Sequence, residues 1–281
     1  MKMSLILSAF IIISSCSETE PYDIEQYHKL INQAELLICE EKFERATHIY
    51  QSAFGIIKKP FGKDLYNAAL CSQFSNQHSI RDKHLQRIIN NMDDFDFIKS
   101  TFVNTYLTQE DWQNLVMERR IDYIPRLRQE FKEILERDQL FRPMYSTHDD
   151  TINQNRLINL GRILELTDSI GFPSHIELGF TKYLTQQDHH IVIHHTAQRR
   201  SRDKSVIDLE RILLSAVKNG RIDPEKAIFY MNFQNDIEKG RFEVYSTWQH
   251  KHHSLPDSLN DKIWLVNLTL AEMEQANSQR K

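Results

Sequence analysis

Turn-forming residues are scarce in this chain, and this scarcity constrains its fold more than any other feature. Only 7 glycines and 7 prolines occur among 281 residues, well below their usual combined share of about 12%. Sandwiches, barrels and propellers need a turn every few residues, and turns depend on Gly, Pro, Asn and Asp. The composition therefore argues against an all-β fold and predicts a mainly α-helical one, with at most a short β-hairpin.

The charge balance and the missing motifs limit the ligands to consider. There are 35 Lys and Arg residues against 39 Asp and Glu, a formal net charge of −4. Nucleic-acid-binding domains usually carry a basic surface, so nucleic acid is not an expected partner. The sequence has no glycine-rich phosphate loop, Gly-x-Ser-x-Gly elbow or Cys-x-x-Cys pair. We therefore expect no cofactor.

The N-terminus has the pattern of an export signal. The apolar run at residues 5–13 is too short for a membrane-spanning helix of about 20 residues. Ser14 and Ser15 follow it and directly precede Cys16. This segment resembles a bacterial lipoprotein signal, in which the cysteine is acylated and becomes the mature N-terminus.

The lipoprotein resemblance implies a location. Residues 1–15 would be the signal peptide, Cys16 the lipidation site, and residues 16–23 a polar tether. Ser17 stands where inner-membrane retention is associated with Asp, and the acidic tether resembles the surface-export signal of Bacteroidota lipoproteins. The expected location is the outer membrane, facing the periplasm or the cell surface, with the membrane itself as a partner through the lipid.

Residues 24–120 show the spacing of helical hairpins. Two apolar stripes with helical periodicity flank a polar turn: Leu30, Ala34 and Leu37, then Phe43, Ala46, Tyr50 and Ala53. Their positions resemble the tetratricopeptide repeat, with Glu41 in the turn where that repeat usually has Gly. A weaker second unit has Asn76 at its turn and Arg81 where a small residue is expected, and residues 95–115 supply a third hairpin.

A short array of helical hairpins is not expected to be stable by itself. Because repeat hairpins cannot bury their faces alone, the array is expected to pack on the C-terminal half of the chain. Its remaining surface fits either a concave site for a protein or peptide partner or a spacer without one.

Residues 121–281 are predicted to form a second helical domain, with residues 241–248 as its best strand. In the helix that begins at Pro125, Asp138 and Arg142 fall on the same arc as the apolar Phe131 and Ile134. Burying charge is costly. The two charges are therefore either a structural ion pair to a neighbouring helix or part of a polar site.

A further helix, predicted over residues 184–197, carries four histidines. A helical-wheel projection places His195 on the inward face of this helix, whereas His189, His190 and His194 fall on other faces. The spacing of His190 and His194 suits a metal ion, but the intervening Glu of metalloproteases is missing, and no metal site is predicted. The basic run at residues 199–202 is interpreted as a solvated loop.

Five short segments of this region follow one another in a recognisable order: Asp138-Gln139 with Arg142, Gly171-Phe172-Pro173, His194-His195, Gly220-Arg221-Ile222, and Tyr245 to Gln249. The order resembles a family of bacterial extracytoplasmic proteins that is known only as a domain of unknown function. An Asp-Arg pair of that family, expected near Asn232, is missing here. In such proteins a tetratricopeptide-like first half is a familiar partner.

The resemblance implies that Asp138, Arg142, His195, Tyr245 and Gln249 share one site, but it brings no known activity. Two hypotheses stay open. The sequence favours a binding or assembly scaffold that holds a protein or peptide on the array; the alternative is a hydrolase-like enzyme that uses the five residues for acid–base chemistry. A solvent-open pocket holding the cluster would favour the enzyme.

Overall fold

The computed structural model describes residues 23–103, 105–140, 148–182, 184 and 189–235. Over these ranges the chain is mainly α-helical, as its composition predicted, with twelve helices and one isolated β-bridge, Val103 to Leu107. The first part holds α1 (Ile24–Cys39), α2 (Phe43–Phe54), α3 (Gly62–Phe74), α4 (His78–Asn90), α5 (Asp96–Phe102) and α6 (Gln109–Met117). The second part holds α7 (Pro125–Gln139), α8 (Asp149–Ile170), α9 (His175–Leu178), α10 (His190–Arg202), α11 (Glu210–Lys218) and α12 (Pro224–Asn235).

Helices α1 and α2 form the hairpin that the apolar stripes predicted. Ala34, Ala46, Tyr50 and Ala53 are completely buried, and the small alanines allow the two helices to approach closely. The turn is closed by backbone bonds that end α1 with Glu41 in the left-handed region, at φ +57°. Glu41 therefore occupies a backbone conformation that normally favours glycine.

Two more helix pairs continue the array. Asn76, at φ +58°, ends α3 in the same manner and leads into α4. Arg81, on α4, is buried although a small residue was expected there. Its guanidinium donates to Oε1 of Gln73 at 2.5 Å and to the carbonyl of Tyr106 at 3.2 Å. Arg81 therefore connects the second hairpin to the third by hydrogen bonds.

The helices of the second part surround their own hydrophobic core. Pro125 stands at the first position of α7, as predicted, and Pro224 at the first position of α12. Gly171 and Gly220, at φ +84° and +64°, terminate α8 and α11. The two prolines therefore mark helix starts, and the two glycines mark helix ends.

The C-terminal end of α10 differs from the prediction. The solvated loop predicted at residues 199–202 was wrong, because α10 runs through to Arg202. Arginine is a good helix former, and cationic side chains near a helix C-terminus are favoured by the helix dipole.

The array packs on the second part, as its small number of hairpins predicted. Phe180 and Leu184 lie in the core of the array rather than in that of their own region. Arg128 of α7 donates to the carbonyls of Leu178 and Phe180, at 2.6 and 2.8 Å. The segment after α9 is therefore held between the two groups of helices.

Candidate functional site

Asp138 and His195 meet between two helices of the second part. Asp138 lies next to the end of α7, and His195 lies in the first half of α10. Nδ1 of His195 is 2.8 Å from Oδ2 of Asp138, and the amide of Gln139 donates to the same oxygen, also at 2.8 Å. The carboxylate side chain is 1% exposed and the histidine side chain 14%, so the ring is the part of the pair that reaches solvent.

Helical spacing explains why both side chains point into the protein. Asp138 follows Phe131 and Ile134 on the buried face of α7. His195 follows Val192 by three residues on α10, and Val192 belongs to the same hydrophobic core as Phe131. The pair therefore forms where the apolar faces of two packed helices meet.

Two asparagines of α8 fix the end of α7 that carries Asp138. Asn159, which is buried, donates to the carbonyl of Ile134 at 3.1 Å and accepts from the guanidinium of Arg137 at 2.9 Å. Asn155 donates to the carbonyl of Arg137 at 3.2 Å. The last carbonyls of a helix lack partners within it. The bond from Asn155 therefore satisfies one helix-end carbonyl, and the two asparagines together hold the end of α7 against α8.

A cavity of about 300 Å³ opens beside the pair, between α8 and α10. It is lined by Ile152, Asn153, Arg156, His195, Gln198, Arg199 and Arg202. Among the described residues that line it, none is acidic. Apart from Ile152 the lining is polar, and convergent polar groups are what fix the orientation of a ligand in a binding site. Because the ring of His195 lines this cavity, the Asp138–His195 pair is accessible to a small molecule.

The charge at the cavity is carried by three arginines. Arg156 is buried on α8, whereas Arg199 is half-buried and Arg202 exposed on α10. Their field extends to Asp203: hydrogen bonds from Ser205, together with the charges of Arg199 and Arg156, hold the pKa of the Asp203 carboxyl below its usual value. The cavity is therefore lined by cationic side chains, with the carboxylate of Asp203 close enough to feel the charges of Arg199 and Arg156.

Of the five residues predicted to share one site, the structure places Asp138 and His195 in direct contact. Arg142, Tyr245 and Gln249 lie outside the described residues, as do Cys16 and the strand predicted at residues 241–248. Asn232, close to where the family's Asp-Arg pair was expected, is buried in α12.

The prediction that His189 and His190 face away from the core was wrong. Both are buried where α10 begins, and the ring of His189 packs on Phe131 and Phe172 at centroid distances of 4.8 and 5.4 Å. Burial lowers the pKa of His189 to about 3. The helical-wheel projection assumed a helix from residue 184, whereas α10 starts at His190. The aromatic side chains around its first turn bury both histidines.

The sequence interpretation missed the three cavity arginines. Arg156 lies midway between the buried Ile152 and Leu160, four residues from each. A charge on an apolar helical stripe was thus visible, and the same signal identified Asp138. Arg199 and Arg202 belonged to the supposed loop, and only the extent of α10 shows that they share a face with His195.

Comparisons with known proteins do not assign this site. No protein-family model, curated protein or solved structure matches the chain. Among the described residues, no group of three or more His, Cys, Asp or Glu side chains is arranged to hold a metal ion. Within the same part of the chain, no helix has both the length and the apolar run needed to cross a bilayer.

Proposed function

We propose that the second part of the chain is a hydrolase-like site in which His195 acts as general base and Asp138 orients it. The observation that carries this proposal is the 2.8 Å contact between His195 Nδ1 and Asp138 Oδ2, with the ring lining an open cavity. A general base must reach its substrate, and a hydrolase site must admit water. Both requirements fit an accessible imidazole better than a closed structural ion pair.

In this proposal the two residues have complementary roles. A carboxylate that accepts from Nδ1–H holds the proton on that nitrogen, so Nε2, on the other side of the ring, is the nitrogen that can accept a proton. Nε2 would take a proton from a water molecule as the water oxygen attacks the substrate. The same nitrogen would then return that proton to the leaving group. The sum is cleavage of one substrate bond by one water molecule.

A panel of chromogenic carboxylic esters, phosphate esters and anilides tests this proposal on the full-length protein. We expect turnover of at least one class, and a loss of roughly 100-fold or more in the His195→Gln variant. The exposed His48 supplies a matched control, and His48→Gln should retain activity. Absence of turnover across the panel contradicts the proposal, and so does turnover that His195→Gln leaves unchanged.

A scaffold function of the array, with a protein or peptide as partner, is the second proposal. Its support is an exposed apolar segment from the last residue of α6 to the start of α7, in which Met117, Ile121 and Ile124 are all more than one third exposed. Exposed apolar side chains that lie close together are common at interaction surfaces. A photo-crosslinking residue at position 121 should give a discrete adduct in cells, and one at the exposed Lys29 should not. The same background at both positions contradicts the scaffold.

The third proposal concerns location, and it rests on the N-terminal sequence alone. Acylation of Cys16 would anchor the protein to the outer membrane, because several acyl chains bind a bilayer stably whereas one binds only marginally. The Cys16→Ala variant should leave the membrane fraction in high salt or fail to mature. High salt removes electrostatic adhesion and leaves hydrophobic anchoring intact. A variant that still sediments with membranes in high salt contradicts this proposal.

A further inference from the structure

The cavity beside His195 is built from two facing helical stripes. On α10, His195, Arg199 and Arg202 follow one another at intervals of four and three residues and therefore share one face. On α8, Ile152 and Arg156 are four residues apart and face them across the cavity. Cationic groups thus converge on one space from opposite sides.

The basic run of α10 is divided between two roles. Arg200 points away from the cavity: it donates to the carbonyls of Lys204 and Val206 and lies 3.0 Å from the carboxylate of Asp208. These bonds hold the segment that comes after α10. Arg199 and Arg202 instead line the cavity with Arg156. The arginines that line the cavity are therefore different from the arginine that stabilises the end of α10.

Arg156, Arg199 and Arg202 line the same small space. Guanidinium groups match the oxygens of phosphate or carboxylate in paired hydrogen bonds. Donors that arrive from two helices suit the divergent oxygens of a tetrahedral group better than the two coplanar oxygens of a carboxylate. A volume of about 300 Å³ leaves room for a small organic moiety besides that group.

We propose that this cavity binds a small molecule through a phosphate group, with Arg156, Arg199 and Arg202 as its ligands. As a statement about substrate class, the inference rests on the proposed hydrolase-like function of His195. Its test measures binding rather than turnover, so the two proposals fail separately. Inorganic phosphate and a phosphate monoester share the recognised chemistry, and the experiment distinguishes them.

Isothermal titration of the full-length protein in detergent, at constant ionic strength, provides the measurement. The probes are inorganic phosphate, glycerol 3-phosphate and, as a planar anion, acetate. We expect both phosphates to bind more tightly than acetate, and a gain for glycerol 3-phosphate would identify the ester as the natural form. Arg156→Gln and Arg199→Gln should each weaken phosphate binding by about tenfold or more.

The exposed Arg126, near the start of α7, supplies the control, and Arg126→Gln should leave phosphate binding unchanged. Because Arg156 is buried, thermal melts check its variant, and the half-buried Arg199 carries the test if Arg156→Gln does not fold. Phosphate that binds no better than acetate overturns the inference, as does phosphate binding equal in the parent and Arg199→Gln. If phosphate binding depends on Arg199 but the ester panel shows no turnover, the phosphate inference stands and the hydrolase proposal is rejected.

Discussion

The ammonium group of Lys63 lies 2.7 Å from the carboxylate of Asp223, and both side chains are at least 90% buried. Lys63 stands in the first turn of α3 and Asp223 directly before α12, so the pair joins the array to the second part. Burial alone would lower the pKa of Lys63, but the charges of Asp223 and Asp64 raise it above its usual value. Lys63 in turn holds the pKa of Asp223 below its usual value, although burial opposes this.

Removing the cation of this pair should therefore destabilise the protein. Lys63→Met leaves Asp223 buried without its cation, and breaking a buried pair in this way costs about 3–5 kcal/mol. Chemical denaturation should show this loss. In the control, Lys29→Met removes a surface pair with Glu25 and should cost less than about 1 kcal/mol. Equal losses in the two variants would show that the Lys63–Asp223 pair does not hold the two parts together.

The Asp138–His195 contact predicts a defined tautomer of the histidine. A carboxylate can only accept from Nδ1–H, whereas the amide of Asn can donate to an unprotonated Nδ1. In Asp138→Asn we therefore expect the ring proton to move towards Nε2. Nitrogen NMR of histidine-labelled protein measures this change, with His195→Gln identifying the signal. The same His195 nitrogen shifts in the parent and in Asp138→Asn would refute the orienting role of Asp138.

Much of the fold was predictable because local signals decide it. Ala34 and Ala46 lie on apolar stripes with helical periodicity, and both are completely buried in the first hairpin. Prolines and glycines are few, so those that stand at helix boundaries mark them clearly, as Pro125 and Gly171 do. Boundaries such as the start of α10 at His190 depend on tertiary packing, and local periodicity does not contain that information.

The candidate site was predictable only in part. Asp138 and His195 were found because each lies on an apolar helical stripe, although the same helical wheel misplaced His189 and His190. Arg156 gave the same kind of signal and was overlooked. Arg199 and Arg202 needed the length of α10 and its packing against α8, because a charged run on a helix end is also what an exposed face shows.

Buried neutral histidines predict sensitivity to acid. Burial lowers the pKa of His28, His84 and His175 to about 4, and that of His190 well below its usual value. In the unfolded chain these rings take up protons near pH 6.5, so the unfolded state binds more protons as the pH falls and folding stability decreases between about pH 6.5 and pH 4.

Each such histidine costs about 1.4 kcal/mol per pH unit in that window. The summed destabilisation by several such histidines approaches the free energy of unfolding of an ordinary domain, about 5–15 kcal/mol. We therefore expect the melting temperature to fall steeply from pH 7.5 to pH 5 when followed by circular dichroism. His84→Asn should make the fall shallower, because one proton uptake on unfolding is removed. A melting temperature that stays constant over this range would contradict the neutral burial of these rings.

Replacing Glu41 should stabilise the first hairpin. Glu41 has φ +57°, and this left-handed conformation costs an ordinary L-residue about 1 kcal/mol but costs glycine almost nothing. Its side chain is exposed, so Glu41→Gly loses little packing, and a gain of about 1 kcal/mol should appear in chemical denaturation. Glu44, also exposed but inside α2, is the matched control, and Glu44→Gly should cost about 1 kcal/mol. A gain at Glu41 is the sign expected from the left-handed backbone conformation at the turn, whereas Glu44→Gly loses helix propensity and a favourable charge in the first turn of α2. A loss in both variants would show that Glu41 is not held in the left-handed region.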